Sequence, residues 1–409
     1  MRRNFLLLQG PCTPFFGRLA KRLRADGHGV FRIDFNAGDL AYRQGCGTPW
    51  TFRGASSALR DFLDEKYRRH GITDQILFGD RRPVHRPAVD HGEACGVRTH
   101  VFEEGYFRPH WVTLERDGVN GHSLLPRDPD WFREVVRRLP RDSDATTFRS
   151  PFWVRAAHDV AYHVAGALNW ALFPRYRTHS SITAPVEYAG YLKRFTMLRL
   201  IGQPEWRRVE ALARSDARYY VLPLQLNTDA QIRDHSRFAG MAEVIAYVLE
   251  SFARHAPTDT RLAIKNHPLD MGLVPYGKLI RHQARQVGVA DRVDYFEDGN
   301  LGPLIEHSCG VVTVNSTVGI VALELGVPTV TLSDPIYNLP GLTSQATLDD
   351  FWACPEPPDR DFVGGFRRVV MHATQVNGGF YCRRGISLAV DNSARILTAE
   401  RSPLEQLLA

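Results

Sequence analysis

Between residues 219 and 332 the chain switches repeatedly between two hydrophobic periods, and few architectures accept that pattern. Apolar runs of strand length occupy 219–226, 262–265, 293–296, 311–314 and 329–332. Between them, residues 238–252, 276–287, 301–307 and 317–325 repeat apolar side chains at helical spacing. The strand runs are apolar on both faces, which suits strands covered from both sides. Strands and helices alternating in this way predict a parallel, doubly wound sheet.

The chain begins in the same manner. Residues 5–8 form an apolar strand, and 15–25 carry Phe15, Phe16, Leu19 and Leu23 on one helical face. Gly27-His28-Gly29 then turns the chain into a second strand at 30–35. Further strands are expected at 75–78, 99–102 and 110–114, among loops rich in Gly, Pro and Arg, and residues 150–200 read as mainly helical and aromatic. A chain of 409 residues suits two domains, each with its own core, and 44% hydrophobic with 23% charged residues is a globular composition. The turn Gly202-Gln203-Pro204 marks the expected end of the first domain. The expected fold class is α/β, with two Rossmann-like domains facing a cleft: residues 1–205, residues 206–370, and a C-terminal segment 371–409 packing back on the first domain.

Charge and leader patterns narrow the function. The formal net charge of +6 suits anionic substrates or an anionic membrane face and is too small to indicate nucleic acid. Residues 131–141 read as a short helix with one apolar side and several arginines, open to two readings, a solvated helix or a membrane-docking one. No apolar run approaches the roughly 20 residues that span a bilayer. The N-terminus turns polar too soon for a signal peptide, so the expected location is the cytoplasm. Six scattered cysteines without a CxxC pair point to reduced thiols. His91, Cys95 and His100 fit no common zinc spacing, and Asp128-Pro129-Asp130 and Asp142-Ser143-Asp144 read as loop acids, so neither a metal nor a bound cofactor is expected.

Several segments place polar residues where strands end. Val314-Asn315-Ser316-Thr317-Val318-Gly319 runs from a strand into the first turn of a helix, where hydroxyls and unpaired N–H groups either bind a phosphate or simply cap the helix. Lys265-Asn266-His267-Pro268 follows another strand directly, which brings two donors for anionic oxygen to the same sheet edge. Asp229 lies just beyond the first strand of the second half, where a carboxylate can attack an anomeric carbon or cap a turn. In the first half Glu103 and Glu104 end a strand, and one of them can serve as an acid/base. Gln9-Gly10-Pro11 leads from the first strand into a helix, and 34–39 forms a polar loop on the same edge. There is no Walker loop, GxGxxG or GxSxG to indicate a kinase, dehydrogenase or hydrolase.

Taken in order, these segments resemble the KpsS/LipB capsule polysaccharide family: Leu8-Gln9-Gly10-Pro11, Asp34-Phe35-Asn36-Ala37-Gly38-Asp39, Glu103-Glu104-Gly105-Tyr106-Phe107-Arg108-Pro109 and Gly118-Val119-Asn120 in the first half, then Pro223-Leu224-Gln225, Lys265-Asn266-His267-Pro268, Val314-Asn315-Ser316-Thr317-Val318-Gly319, Pro340-Gly341-Leu342-Thr343 and Gln375-Val376-Asn377-Gly378. The resemblance runs nearly end to end. It implies a B-type glycosyltransferase fold and a retaining β-Kdo transferase that takes CMP-Kdo as donor and primes a capsule linker on a lyso-phosphatidylglycerol type lipid at the inner membrane. By the same resemblance Asp229 is the nucleophile of a double displacement and Glu103 the acid/base. Lys265, His267, Asn315, Ser316 and Thr317 would hold the CMP phosphate, while Gln9, Gly10, Asn36, Arg108, Asn120 and Gln225 would meet acceptor or substrate. Implied partners are CMP-Kdo, the lipid acceptor, the transferase that extends the Kdo chain and the capsule export machinery. Two other readings remain: a transferase or epimerase for another nucleotide sugar, and a non-catalytic scaffold between capsule synthesis and export.

Overall fold

The computed structural model describes residues 2–45, 47–140, 145–178, 184–226, 232 and 236–409, with backbone alone at 184, 201 and 202. The chain divides into two compact units, one made of Met1–Pro126, Val135–His179 and Arg368–Ala409, the other of Arg127–Glu134 and Ser180–Arg367.

The first unit is built on strands β1 (Asn4–Leu7), β2 (Gly29–Asp34), β3 (Thr48–Thr51), β4 (Asp74–Phe78), β5 (Arg98–Glu104) and β6 (Trp111–Arg116). They lie in the order β6-β5-β4-β1-β2-β3; all neighbours are parallel except β5 and β6. Successive residues of a strand point to opposite faces, so the sheet has two cores. Phe5, Leu7, Ile76, Phe78 and Phe102 meet the helix Phe15–Ala25 on one face. Leu6, Leu8, Ile33, Leu77 and Val101 meet the helix Leu59–His70 on the other. Each fully buried Leu or Phe contributes about 1.5–3 kcal/mol, which is why apolar runs rather than alternating ones mark these strands.

The second unit repeats the plan with β7 (Arg218–Pro223), β8 (Thr260–Lys265), β9 (Val293–Phe296), β10 (Gly310–Thr313) and β11 (Thr329–Thr331). Its order is β11-β10-β7-β8-β9, parallel throughout. Tyr220, Leu222, Leu262, Ile264 and Val312 pack under the helix Met241–His255, and Tyr219, Val221, Ala263 and Val311 form the opposite core. After this unit the chain adds β12 (Gln375–Asn377) antiparallel to β6, and the helix Arg383–Thr398 sends Ile386, Ala389 and Leu397 into the first unit's core.

Both units are thus Rossmann-like α/β sheets. Strand order reverses between β1 and β4 in one and between β7 and β10 in the other; the carboxyl ends of strands at such a reversal open the crevice where α/β sheets take ligands.

Gly202-Gln203-Pro204, where a turn was expected, lies inside the helix Ala184–Ala213. Proline inside a helix costs about 3 kcal/mol; burial of Val209 and Ala213 and the ion pair of buried Arg194 with Glu297 offset it on either side. For the described part of 131–141 the solvated-helix reading is the better fit, since the helix Pro129–Arg138 buries Phe132 against Phe362 and Phe366 and buries Val135, leaving Trp131 and Val136 half-buried.

Candidate functional site

In the second unit the strand reversal gathers the expected donor-side residues. Leu224, just past β7, donates its N–H to the carbonyl of Lys265 at 2.8 Å on one side. On the other side Gln225 Nε2 donates to Asn315 Oδ1 at 3.0 Å, and the Asn315 backbone N–H donates to Gln225 Oε1 at 3.3 Å. Segments 50 residues apart, 265–267 and 315–317, are thereby fixed on the two flanks of β7, about 10 Å from one another by strand spacing.

Each of these residues has a defined state. His267 Nδ1 accepts from the Leu269 N–H at 3.0 Å, so a neutral ring carries its proton on Nε2 as a donor. Lys265 is buried rather than displayed; its Nζ donates to the Asn266 carbonyl at 3.0 Å, and burial lowers its pKa. Asn266 Oδ1 accepts the His267 N–H at 2.8 Å and its Nδ2 donates to Glu297 at 3.1 Å. Ser316 Oγ accepts from the Val318 N–H at 3.2 Å, which is a capping bond, and its O–H remains a donor. Tyr337, wholly buried, donates to the Ser316 carbonyl at 2.5 Å. Thr317 is the N-cap residue of the helix Val318–Glu324 but makes no side-chain cap bond. The arrangement offers hydroxyl, imidazole and ammonium groups, all donors suited to an anionic oxygen. Asp229 lies outside the described residues.

In the first unit the loops after β1 and β2 meet in a buried polar cluster. Asp39 closes a capping box with Asn36 at the start of the helix Ala37–Ala41. Its Oδ2 also accepts the Phe35 N–H at 2.9 Å and Gln9 Nε2 at 3.3 Å. Burial raises the Asp39 pKa. Tyr162, on the helix Phe152–Gly166, donates to Asp39 Oδ1 at 3.0 Å and accepts from Asn36 Nδ2 at 2.7 Å and Gln9 Nε2 at 3.2 Å. Gln9 and Asn36 are therefore almost fully buried, with their polar atoms engaged by the protein itself. Gly10 serves packing, because a Cβ there would lie 2.7 Å from the Phe16 ring.

The two glutamates at the end of β5 separate. Glu104 accepts from Tyr381 at 2.6 Å and pairs with Arg155 at 3.5 Å. Glu103 lies on the other face beside Gly79, whose Cβ, were there one, would stand 3.3 Å from Glu103 Oε2 and 3.8 Å from Arg82 Nε. Arg82 also donates to Gln9 Oε1 and to the Gly10 carbonyl, both at 3.3 Å. Glu103 is thus the carboxylate next to the strand reversal. Arg108 is exposed and donates to the Gly105 carbonyl at 3.4 Å. Asn120 stands apart, its N–H donating to Tyr106 Oη at 2.8 Å, and its φ of 57° explains an Asn in that turn.

Three contributors had no sequence signal: Arg82 and Arg194, each the second of two adjacent cations in a stretch without a motif, and Tyr162, which reaches β1 and β2 from a distant helix. Among the described residues Asp64, His91 and Cys95 form the one group able to hold a metal ion. His100 is elsewhere, bonded to Asp74 at 2.8 Å. Asp128 accepts the Asp130 N–H and Asp130 pairs with Arg133, both at 2.9 Å, as loop and helix-end acids do.

A sequence model of the family described as capsule polysaccharide biosynthesis protein matches residues 73–381. The chain is 36% identical over 389 residues to the capsule polysaccharide modification protein LipB of Neisseria meningitidis serogroup A, across 92% of this chain and 91% of that protein. It is 34% identical over 389 residues to the capsule polysaccharide export protein KpsS of Escherichia coli, across 93% and 97%. Among solved structures, the KpsC beta Kdo 2,7 transferase of Thermosulfurimonas dismutans aligns over 97% of this chain and 100% of that one, at 14% identity and a TM-score of 0.46.

Proposed function

Because the chain belongs to the capsule polysaccharide biosynthesis protein family, we propose that it is a glycosyltransferase of capsule assembly that moves one Kdo from CMP-Kdo to a lyso-phosphatidylglycerol type acceptor on the cytoplasmic face of the inner membrane. One observation carries the donor half of this reading: the strand reversal of the second unit fixes Lys265 and His267 on one flank of β7 and Asn315, Ser316 and Thr317 on the other. Those are donors for a departing phosphate, which needs hydrogen bonds and positive charge more than a metal. The Kdo identity of the sugar rests on the family resemblance of these same segments.

In the proposed reaction the Asp229 carboxylate attacks the anomeric carbon, the bond to the phosphate oxygen breaks, and CMP leaves with its charge held by His267 Nε2–H, the Ser316 and Thr317 hydroxyls and Lys265. The acceptor hydroxyl then attacks the same carbon. Glu103 takes its proton, the Asp229 ester bond breaks, and two inversions give net retention. Gln9, Asn36, Arg108 and Asn120 belong to acceptor recognition in this scheme. The product is the substrate of a chain-extending Kdo transferase, and the export machinery follows.

The test is transfer from CMP-Kdo to a fluorescent lyso-phosphatidylglycerol analogue, read by mass spectrometry. Wild type should add a single Kdo, Asp229→Ala should add none, and His267→Ala should be slower by about 100-fold. Transfer only from a different nucleotide sugar would replace the donor. Normal capsule production with Asp229→Ala and Glu103→Gln would favour the scaffold instead.

A further inference from the structure

The stretch from the helix Phe152–Gly166 through the short helix Asn169–Leu172 has an inverted character. Every residue exposed between 152 and 172 is apolar, and the exposed positions 153, 157, 160, 164, 168 and 171 follow one another at intervals of three and four. Their exposure is large where the side chains are large: 70% at Trp153, 66% at Val164, 54% at Leu168 and 79% at Trp170. Four polar side chains of the same stretch bond to the body of the first unit, while Asp159 and His163 pair with each other and stay half-exposed. Arg155 pairs with Glu104, His158 bonds Tyr42, Tyr162 bonds Asp39, and Asn169 accepts the Ala37 N–H at 2.7 Å.

A contiguous outward apolar face of this kind marks an interaction surface, and its ends identify the partner. Arg149 precedes the stripe and Arg175 and Arg177 follow it; all three are exposed, and the single acid from 145 to 178, Asp159, pairs with His163 at 3.4 Å. Tryptophans near both ends with cations just beyond them are the pattern of a helix lying in the plane of a bilayer surface. A second copy of the chain fits poorly. Antiparallel pairing of the stripe on itself would bring Arg149 against Arg175 and Arg177, and parallel pairing would set each cation against its own copy. Anionic headgroups neutralise both ends at once.

We propose that the outward face of residues 152–172 docks this chain on an anionic lipid surface, with Trp153, Val164, Leu168 and Trp170 entering the headgroup region and Arg149, Arg175 and Arg177 meeting lipid phosphates. This adds to the transferase reading the surface that carries the chain to its lipid, and it is tested with no sugar donor present, so the two stand or fall separately.

The experiment is co-sedimentation of the full chain with vesicles of phosphatidylcholine, with and without phosphatidylglycerol, at low and high salt. Wild type should sediment with the phosphatidylglycerol vesicles, its tryptophan emission should shift to the blue, and salt should weaken the binding. The triple variant Trp153→Glu, Leu168→Glu, Trp170→Glu should bind at least tenfold more weakly with an unchanged urea unfolding curve, since all three side chains are exposed. Arg149→Glu with Arg175→Glu should remove the preference for phosphatidylglycerol. Wild type that stays in the supernatant with both vesicle types, or a triple variant that binds as wild type does, overturns the proposal. A dimer in light scattering that the triple variant disperses, without vesicle binding, assigns the face to a second copy and also overturns it.

Discussion

Gln225 and Asn315 hold each other by two hydrogen bonds, 3.0 Å from the Gln225 amide to Asn315 Oδ1 and 3.3 Å from the Asn315 N–H to Gln225 Oε1. Both are buried, and each follows one of the two strands between which the second sheet reverses its order. Removing one partner strands the other in a dry site at about 1–3 kcal/mol. Gln225→Leu is therefore expected to lower stability to urea by that amount. It should also slow transfer at least tenfold, because Asn315 sets the position of Ser316. A double-mutant cycle with Asn315→Ala should show coupling of about 0.5–3 kcal/mol; strictly additive losses would mean that the pair is not a clasp.

His267 has its own signature. Its Nδ1 is committed to the Leu269 N–H at 3.0 Å, so only Nε2 can donate outward. Glutamine can place an amide nitrogen near the Nε2 position, whereas asparagine can replace only the Nδ1 acceptor. His267→Gln should keep more activity than His267→Asn, with both folded, and the gap should appear in kcat, since in the proposed reaction a bond from His267 to the leaving phosphate would strengthen as charge develops there. Equal losses in the two variants would remove His267 from that role.

How much of this was legible follows from how local each signal is. The helix Phe15–Ala25 and strand β9, Val293–Phe296, were readable to the residue because their apolar pattern needs no distant partner. The segments proposed to hold the donor were readable because each joins a strand end to Asn, Ser, Thr, Lys or His within a few residues. Short β3, Thr48–Thr51, with little burial, had no such pattern. The cover over Gln9 and Asn36 was not readable either, as Tyr162 lies more than 100 positions away in sequence and bonds through one hydroxyl. Proline 204 misled in the other direction: a local breaker was overridden by the packing and ion pairing of the helix around it.

Acid should weaken the first unit in a defined window. His100 is wholly buried, and burial pushes its pKa below the usual value although Asp74, 2.8 Å away, pulls it upward. The unfolded chain takes up a proton near pH 6.5 while the folded one does not. Between those two pKa values the unfolded state binds more protons, so stability from this group is present above about pH 6.5 and is lost as pH falls through the window. His28, His158 and His372 are shifted the same way by burial. Urea midpoints should fall as pH drops below about 6.5, and His100→Gln should flatten the slope by up to about 1.4 kcal/mol per pH unit. A slope that His100→Gln leaves unchanged would assign the acid sensitivity to the other histidines.

Gly38 and Tyr162 give the sharpest packing test. Gly38 is the second residue of the helix Ala37–Ala41, and a Cβ there would stand 2.6 Å from the Tyr162 ring. In the second unit Gly319 is likewise the second residue of the helix Val318–Glu324, where a Cβ would stand 2.4 Å from Tyr337 Oη. In both places the glycine lets a tyrosine lie close against the first turn and reach polar groups at a strand end, Asp39 and Asn36 in one case and the Ser316 carbonyl in the other. Neither glycine needs a left-handed backbone, so alanine should be favoured locally by about 1 kcal/mol, and overpacking of about 1–3 kcal/mol opposes it. Gly38→Ala should therefore destabilise the chain with Tyr162 in place and become neutral or stabilising in a Tyr162→Ala background. Such a reversal of sign, read from urea unfolding of the four proteins in the cycle, requires direct contact between the two residues; the same cost in both backgrounds would refute it.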